Sequence, residues 1–472
     1  MLASNISTAI PPLSVVRIEV ERLFGRYTYT LTNPNQNSQL DSSLIILYGD
    51  NGSGKTTILK LLFHLLSPAQ KHSHLQFLLK TPFARFSVFL ANGTHIAVNR
   101  KEGNLTGAFE LTILPKGIAS EVDYQLDNDN ELKEEKDNKF FERLWLKLNL
   151  DSENELKSDD FIKIEKFLTS LQFSSLFLGD SRVLESDIFE TSELLRRQKR
   201  TETYYYVIGD DIHRSSDTQP SLNRELTLKT SIQRTEQWVR EQVLKGSNAG
   251  EANVHSIYEE IIARIVNSGE SVEEELQNSP DELIDSLKIQ ESRSNDFSRF
   301  GLMSPLSTQK LVHLIQSAHE NTHPIILDIL KPYLDSVKAR MDALQDTHDL
   351  LKLFVNTINQ VFFRDKNIRL DVQKGLAIAT EEGIELEPEM LSSGEKQLLL
   401  LFCNTLAARD KATIFIIDEP EISLNIKWQR QLIRALLDLT KGSQVQFILA
   451  THSFELLSQY RHNVVKLENQ GH

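Results

Sequence analysis

Eight consecutive residues, Gly49-Asp50-Asn51-Gly52-Ser53-Gly54-Lys55-Thr56, constrain this chain more than any other feature. They fit the pattern G-x-x-x-x-G-K-[ST], and they stand where that pattern has a physical meaning. The apolar run Leu44–Tyr48 reads as a strand before them, and Lys55–Leu66 reads as a helix after them. A glycine-rich turn lets backbone amides curl round a phosphate, and the start of the following helix adds positive potential there. Asn51, Gly52, Ser53, Gly54, Lys55, Thr56 and Thr57 are therefore the expected nucleotide-binding residues. Lys55 is expected to reach the β- and γ-phosphates, and the Thr56 hydroxyl to bind Mg²⁺.

A second cluster lies near the other end of the chain. Ile414-Phe415-Ile416-Ile417 ends in Asp418-Glu419, and Gln446–Ala450 is another continuous apolar run. Such runs mark parallel strands buried on both faces, which puts the acid pair at a strand tip. There Asp418 is expected to hold Mg²⁺ through water, and Glu419 to polarise the attacking water as general base. Two acids capping a strand are ordinary when they stand alone; paired with a phosphate loop they read as a hydrolytic site. The two ends of the chain are thus expected to share one α/β domain.

The remaining segments fill in around these clusters. Val15–Val20, Tyr27–Leu31, Phe86–Leu90, His95–Asn99 and Phe109–Leu114 read as short strands, the last three forming an antiparallel side sheet. Residues 121–165 are acidic and polar and read as an exposed insertion. Phe173–Leu178 reads as a buried strand flanked by Gln172 and Arg182, each a candidate nucleotide sensor. The basic run Arg196–Arg200 reads as a solvated helix face, with contact to phosphate backbones as the alternative.

From Leu222 to Phe363 the chain is mostly helical. One stripe runs through Leu228, Ile232, Val239 and Val243, another from Val254 to Ile265, and a third from Val337 to Val361, with breaks at 246–250, 279–280 and 301–305. Strands return at Ile368–Val372 and Ala377–Thr380, followed by a helix through Leu391–Ala408. The expected organisation is an N-terminal half-domain over 1–120, an acidic insertion and strand over 121–220, a helical arm or lobe over 221–363 and a C-terminal half-domain over 364–472.

Composition excludes several classes. A chain of 472 residues with 40% apolar and 25% charged residues suits a folded protein of two units. The formal charge of −14 argues against a surface that is basic throughout, so any contact with DNA must use a local patch. Cys403 is the single cysteine, which excludes an internal disulfide and any Cys-x-x-Cys metal site. With no apolar run long enough to span a membrane and no start resembling a signal peptide, the expected location is the cytoplasm, without membrane contact.

Leu391-Ser392-Ser393-Gly394-Glu395-Lys396-Gln397, at the start of the expected helix, resembles the signature of ABC-type ATPases, LSGGQ in its usual form. The LSSGE variant resembles that of SMC-like and RecF-like members. The resemblance implies an α/β, ABC-type P-loop nucleotide-binding domain split by a mostly helical insertion, a coiled-coil-like arm or lobe. It also implies that Ser392, Ser393, Gly394 and Glu395 face the γ-phosphate bound by an opposite subunit. Ser423, Leu424 and Asn425 then resemble the D-loop that touches this subunit, and His452 resembles the switch histidine that contacts the γ-phosphate or orients water. The implied catalytic set is Glu419, His452 and Lys55, with ATP and Mg²⁺ as cofactors and a head-to-tail dimer or higher homo-oligomer as the working state.

Spacing separates the branches of that family. Lys55 and Ser392 stand 337 positions apart, much farther than in transporter subunits, whereas SMC-like, RecF-like and OLD-like ATPases carry an insertion there. The run Asp418–Gln429 resembles the OLD-like branch, with Asn425 where that branch often has histidine. Only 20 residues follow His452, too few for the Toprim nuclease of full OLD proteins. The chain therefore resembles the ATPase subunit of two-gene anti-phage defence systems such as PARIS. That resemblance implies a separate Toprim-type effector and a phage-encoded trigger. The alternative is a DNA repair or recombination ATPase that clamps DNA, and a third reading is a nucleotide-locked scaffold with negligible turnover.

Overall fold

The computed structural model describes residues 13–32, 43–67, 72–114, 148–150, 168–169, 171–179, 184–186, 227–246, 280–319 and 322–470. The acidic stretch 121–165 outside 148–150, Arg182, the basic run 196–200 and the stripe 254–265 lie outside them. The chain forms two compact units, one made of Met1–Arg224 with Ala408–His472 and the other of Glu225–Ala407.

The first unit holds two sheets. Strands β1 (Val15–Leu23), β2 (Tyr27–Thr32), β4 (Arg85–Leu90), β5 (His95–Asn99), β6 (Phe109–Leu114) and β7 (Leu148–Leu150) form an antiparallel sheet in the order β2-β1-β4-β5-β6-β7. The side sheet expected from three strands is therefore six strands wide. The other sheet runs β15-β3-β14-β13-β8-β9, from β3 (Leu44–Tyr48), β8 (Phe173–Leu178), β9 (Leu184–Ser186), β13 (Ala412–Asp418), β14 (Val445–Ala450) and β15 (Val464–Lys466). All its pairings are parallel except that of β8 with the edge strand β9. Every residue of β8, β13 and β14 is buried, which is why these strands read as unbroken apolar runs.

Helix α1 (Lys55–Leu66) links the sheets into one core. Ile58, Leu59, Leu61, Leu62, Phe63, Leu65 and Leu66 are buried on one broad face, in one cluster with Ile18, Val20 and Phe86 of one sheet and Ile414, Ile416 and Ile448 of the other, while Thr56, Thr57, Lys60 and His64 make up the partly exposed side. That broad apolar face packs across β8, β13 and β14. The buried Gln446 amide adds a polar stitch, accepting from Val15 N at 2.8 Å and donating to Val15 O at 3.0 Å. That pairing satisfies groups that would be costly to bury alone.

The second unit is mostly helical, with helices over 227–246, Pro280–Ser298, Gln309–Ser317, His323–Thr357 and Ser393–Ala407. It also carries the antiparallel sheet β10 (Lys366–Asp371), β11 (Gly375–Thr380) and β12 (Glu385–Leu386). The helix 323–357 ends in a wider turn over Ile358–Phe362. There Asn359 pairs with both backbone groups of Ile368, accepting from its N at 2.7 Å and donating to its O at 3.0 Å, which ties the helix end to β10.

Candidate functional site

Three adjacent parallel strands of the first unit end at one level. In the ladder Asp418 lies opposite Ala450, and Ala450 opposite Leu47. The segments leaving β13, β14 and β3 are the acid pair with its following turn, the Thr451-His452-Ser453 segment and the phosphate loop. Ligand sites of open parallel sheets form at such carboxyl ends, where the diverging loops leave room.

The phosphate loop is held in shape from several sides. Lys55 is buried at 6% exposure and donates from Nζ to Gly49 O at 2.8 Å and Asp50 O at 3.0 Å. Burial depresses the Lys55 pKa, opposed by the carboxylates of Asp418, Glu419 and Asp50 around it. Gly54 has φ +93°, a conformation that favours glycine, and a Cβ there would have to push aside Leu23 Cδ2, 2.6 Å away. From β2 the Tyr29 hydroxyl donates to Ser53 O at 2.9 Å, and burial pushes its pKa up to about 12. Ser53 Oγ is buried and meets no hydrogen-bond partner among the described residues, as fits a hydroxyl inside a cradle for an anion.

The acid pair has the strained backbone that sequence cannot show. Asp418 is 4% exposed at the end of β13. Glu419 takes φ +49°, rare for a residue with a side chain, and its N donates to Ala450 O at 2.8 Å. The left-handed turn ends the strand between the two acids. Asp418 and Thr56 offer two oxygen donors, and no group of three or more His, Cys, Asp or Glu gathers among the described residues. The chemistry of these two oxygen donors suits Mg²⁺, which takes few protein ligands and fills its shell with phosphate oxygens and water.

Beyond the pair, Ser423 also has a left-handed φ of +65°, Leu424 is buried, and Asn425 caps the helix Ile426–Thr440 by accepting from Trp428 N at 3.0 Å. That cap is a local use for asparagine at this position. His452 is exposed, and its backbone N donates to Glu421 Oε1 at 2.8 Å. Gln172 precedes β8 with φ +53°.

The second unit carries the signature-like segment. Ser392 and Ser393 are exposed, and Gly394 is buried at the first turn of Ser393–Ala407. Glu395, 8% exposed, accepts from Ser392 N at 2.7 Å, while Glu395 N donates to Ser392 Oγ at 3.4 Å. This is a capping box, two orphan donors satisfied reciprocally. Lys366 Nζ of β10 reaches both Glu395 oxygens, at 2.9 and 3.0 Å.

Tyr29 and Lys366 support these segments and were not found from sequence, while Glu421 and Gln429 stood inside the Asp418–Gln429 run without their supporting contacts being read. Only for the pair Ser392 and Glu395 did a readable signal exist, the S-x-x-E spacing itself.

The profile of the AAA ATPase domain family matches residues 35–457. The Escherichia coli dipeptide transport ATP-binding protein DppD is 29% identical over 111 residues, and the Shigella flexneri protein of the same name matches to the same extent. The alignment covers 24% of this chain and 29% of the relative. Among solved structures, an Smc head domain with an extended coiled coil, derived from Pyrococcus furiosus and bound to the C-terminal domain of ScpA, aligns over 97% of this chain and 96% of that one. The TM-score is 0.36 and the identity 12%.

Proposed function

The chain belongs to the AAA ATPase domain family, and from that premise we propose that it binds and slowly hydrolyses Mg²⁺-ATP in an assembly of at least two copies. The carrying observation is the shared level of β13, β14 and β3, from whose neighbouring ends run the acid pair Asp418 and Glu419, the segment with His452 and the loop that leads to Lys55. In this reading the loop amides and Lys55 bind the phosphates, and Thr56 and Asp418 hold the metal. A bound Mg²⁺ would neutralise charge on the phosphate oxygens. Glu419 takes a proton from water, and His452 orients that water or the γ-phosphate. Ser392, Ser393 and Gly394 of one copy face the nucleotide of another, with Ser423, Leu424 and Asn425 at the seam.

Glu395 plays a different part from the glutamine of the usual signature. Its carboxylate is engaged by Ser392 N and Lys366, so it holds the segment in shape. We infer that the assembly controls a separate nuclease effector in defence against phage, a reading that rests on the resemblance of the Asp418–Gln429 run and the signature to that branch.

Glu419→Gln tests the enzymatic core. Removing a general base should lower turnover by about a hundredfold or more. ATP binding should remain, and the nucleotide-bound assembly should outlive that of the wild type, measured by mass with and without ATP. Unchanged hydrolysis and unchanged assembly would refute the assignment of Glu419.

A further inference from the structure

Glu421 grips the segment that carries His452. A single oxygen, Oε1, accepts the Thr451 hydroxyl at 2.6 Å, His452 N at 2.8 Å and Ser453 N at 3.0 Å. Its other oxygen, Oε2, is buried and meets no hydrogen-bond partner among the described residues. A second arm runs beside the first. Ser453 Oγ donates to Gln429 Oε1 at 2.8 Å, and Gln429 Nε2 donates to Leu424 O at 2.9 Å. Segment 451–453 is thus bound at two points to the turn and helix start that follow the acid pair.

Bonds to an ionised carboxylate are shorter and about twice as strong as neutral ones, so three on one oxygen hold this backbone firmly. Thr451 is fully buried, whereas His452 is exposed, so the clasp fixes the main chain and leaves the imidazole directed outward. The turn 419–424 is itself closed by Ile422 N to Glu419 O at 3.1 Å and Leu424 N to Glu421 O at 2.9 Å. It includes the left-handed Ser423. Glu421 therefore ties that turn directly to the main chain of His452.

We propose that Glu421 is a positioning residue which, by tying the main chain of residues 451–453 to the turn 420–425, aligns His452 for hydrolysis. The inference rests on the ATPase reading above and adds to it a residue that holds the histidine segment in place. Glu421 touches no reacting group; it acts through the backbone of residues 451–453.

Glu421→Ala, Glu421→Gln and His452→Ala, singly and with the Ala pair combined, separate this from other roles. A displaced catalytic group costs between about tenfold and about a hundredfold. Glu421→Ala is therefore expected to lower kcat by that amount, with the KM for ATP within about twofold. Glu421→Gln keeps an acceptor for the same donors and should recover most of the loss, as a general base could not. The doubly substituted protein should be no slower than His452→Ala alone. Amide hydrogen exchange at His452 and Ser453, which needs no turnover, should quicken in Glu421→Ala.

Unchanged exchange, wild-type kcat in Glu421→Ala, or losses that multiply in the double variant would overturn this positioning role. Equal and negligible hydrolysis by wild type and Lys55→Ala would overturn the ATPase reading instead, and exchange would still decide whether the clasp exists.

Discussion

At the scale of single residues, Glu395 shows how a substitution within a motif changes its use. Burial alone would raise its pKa, but hydrogen bonds from Lys366 and from Ser392 outweigh burial and hold the carboxyl below the usual glutamate range. A pKa lowered by folding contributes stability that is complete above the unfolded value and is lost as pH falls through the folded one. Glu395→Gln is therefore expected to cost about 1–2 kcal/mol at neutral pH. In urea titrations at several pH values, its gap from wild type should narrow below about pH 4. A gap that stays constant down the acid limb would mean that the Lys366 contact contributes nothing.

At the scale of elements, the helix Ser393–Ala407 presents Ser392 and Ser393 while its remaining length is packed. Asn404 Nδ2 donates to Ser231 Oγ at 2.8 Å and Thr235 Oγ1 to Cys403 O at 3.0 Å, buried bonds to the helix 227–246. Burial pushes the Cys403 thiol up to about 12, so the thiolate that would react with an alkylating reagent is scarce. Labelling at pH 8 should be slow in native protein and rapid in urea, and its native rate should report local opening of this unit. Rapid labelling of the folded chain would contradict the packing of this helix.

The strands around the site were legible because burial on both faces leaves an unmixed apolar record, as in Ile414–Ile417 and Leu44–Tyr48. Phosphate-loop chemistry was legible because glycine, lysine and threonine there answer to local geometry. The contacts of Glu421 and Lys366 were not, since the partners lie 30 and 29 positions away, at Thr451 and Glu395, and no periodicity encodes such a contact. The helix Ile426–Thr440 was not read from sequence either, because the residue that caps its start, Asn425, is also one that the resemblance assigns to a subunit contact.

At the scale of the whole molecule, a site shared between copies makes a quantitative demand. If the phosphate loop of one copy works with Ser392 of the other, Lys55→Ala and Ser392→Arg each leave every pocket of their own dimers broken. In a mixed dimer one pocket combines both defects, and the other combines an intact loop with an intact signature. Free exchange of copies makes about half the dimers mixed, each with one working pocket, so an equal mixture should recover about a quarter of wild-type turnover per chain. The Ser392→Arg chain should remain folded, because Ser392 is exposed, and loss of its capping hydroxyl costs only about 1 kcal/mol. Near-ultraviolet circular dichroism of each variant verifies that point before mixing. Turnover that stays at the floor in the mixture, with both variants folded and exchanging, would place the loop and signature in separate functions and leave the phosphate loop to act within its own copy.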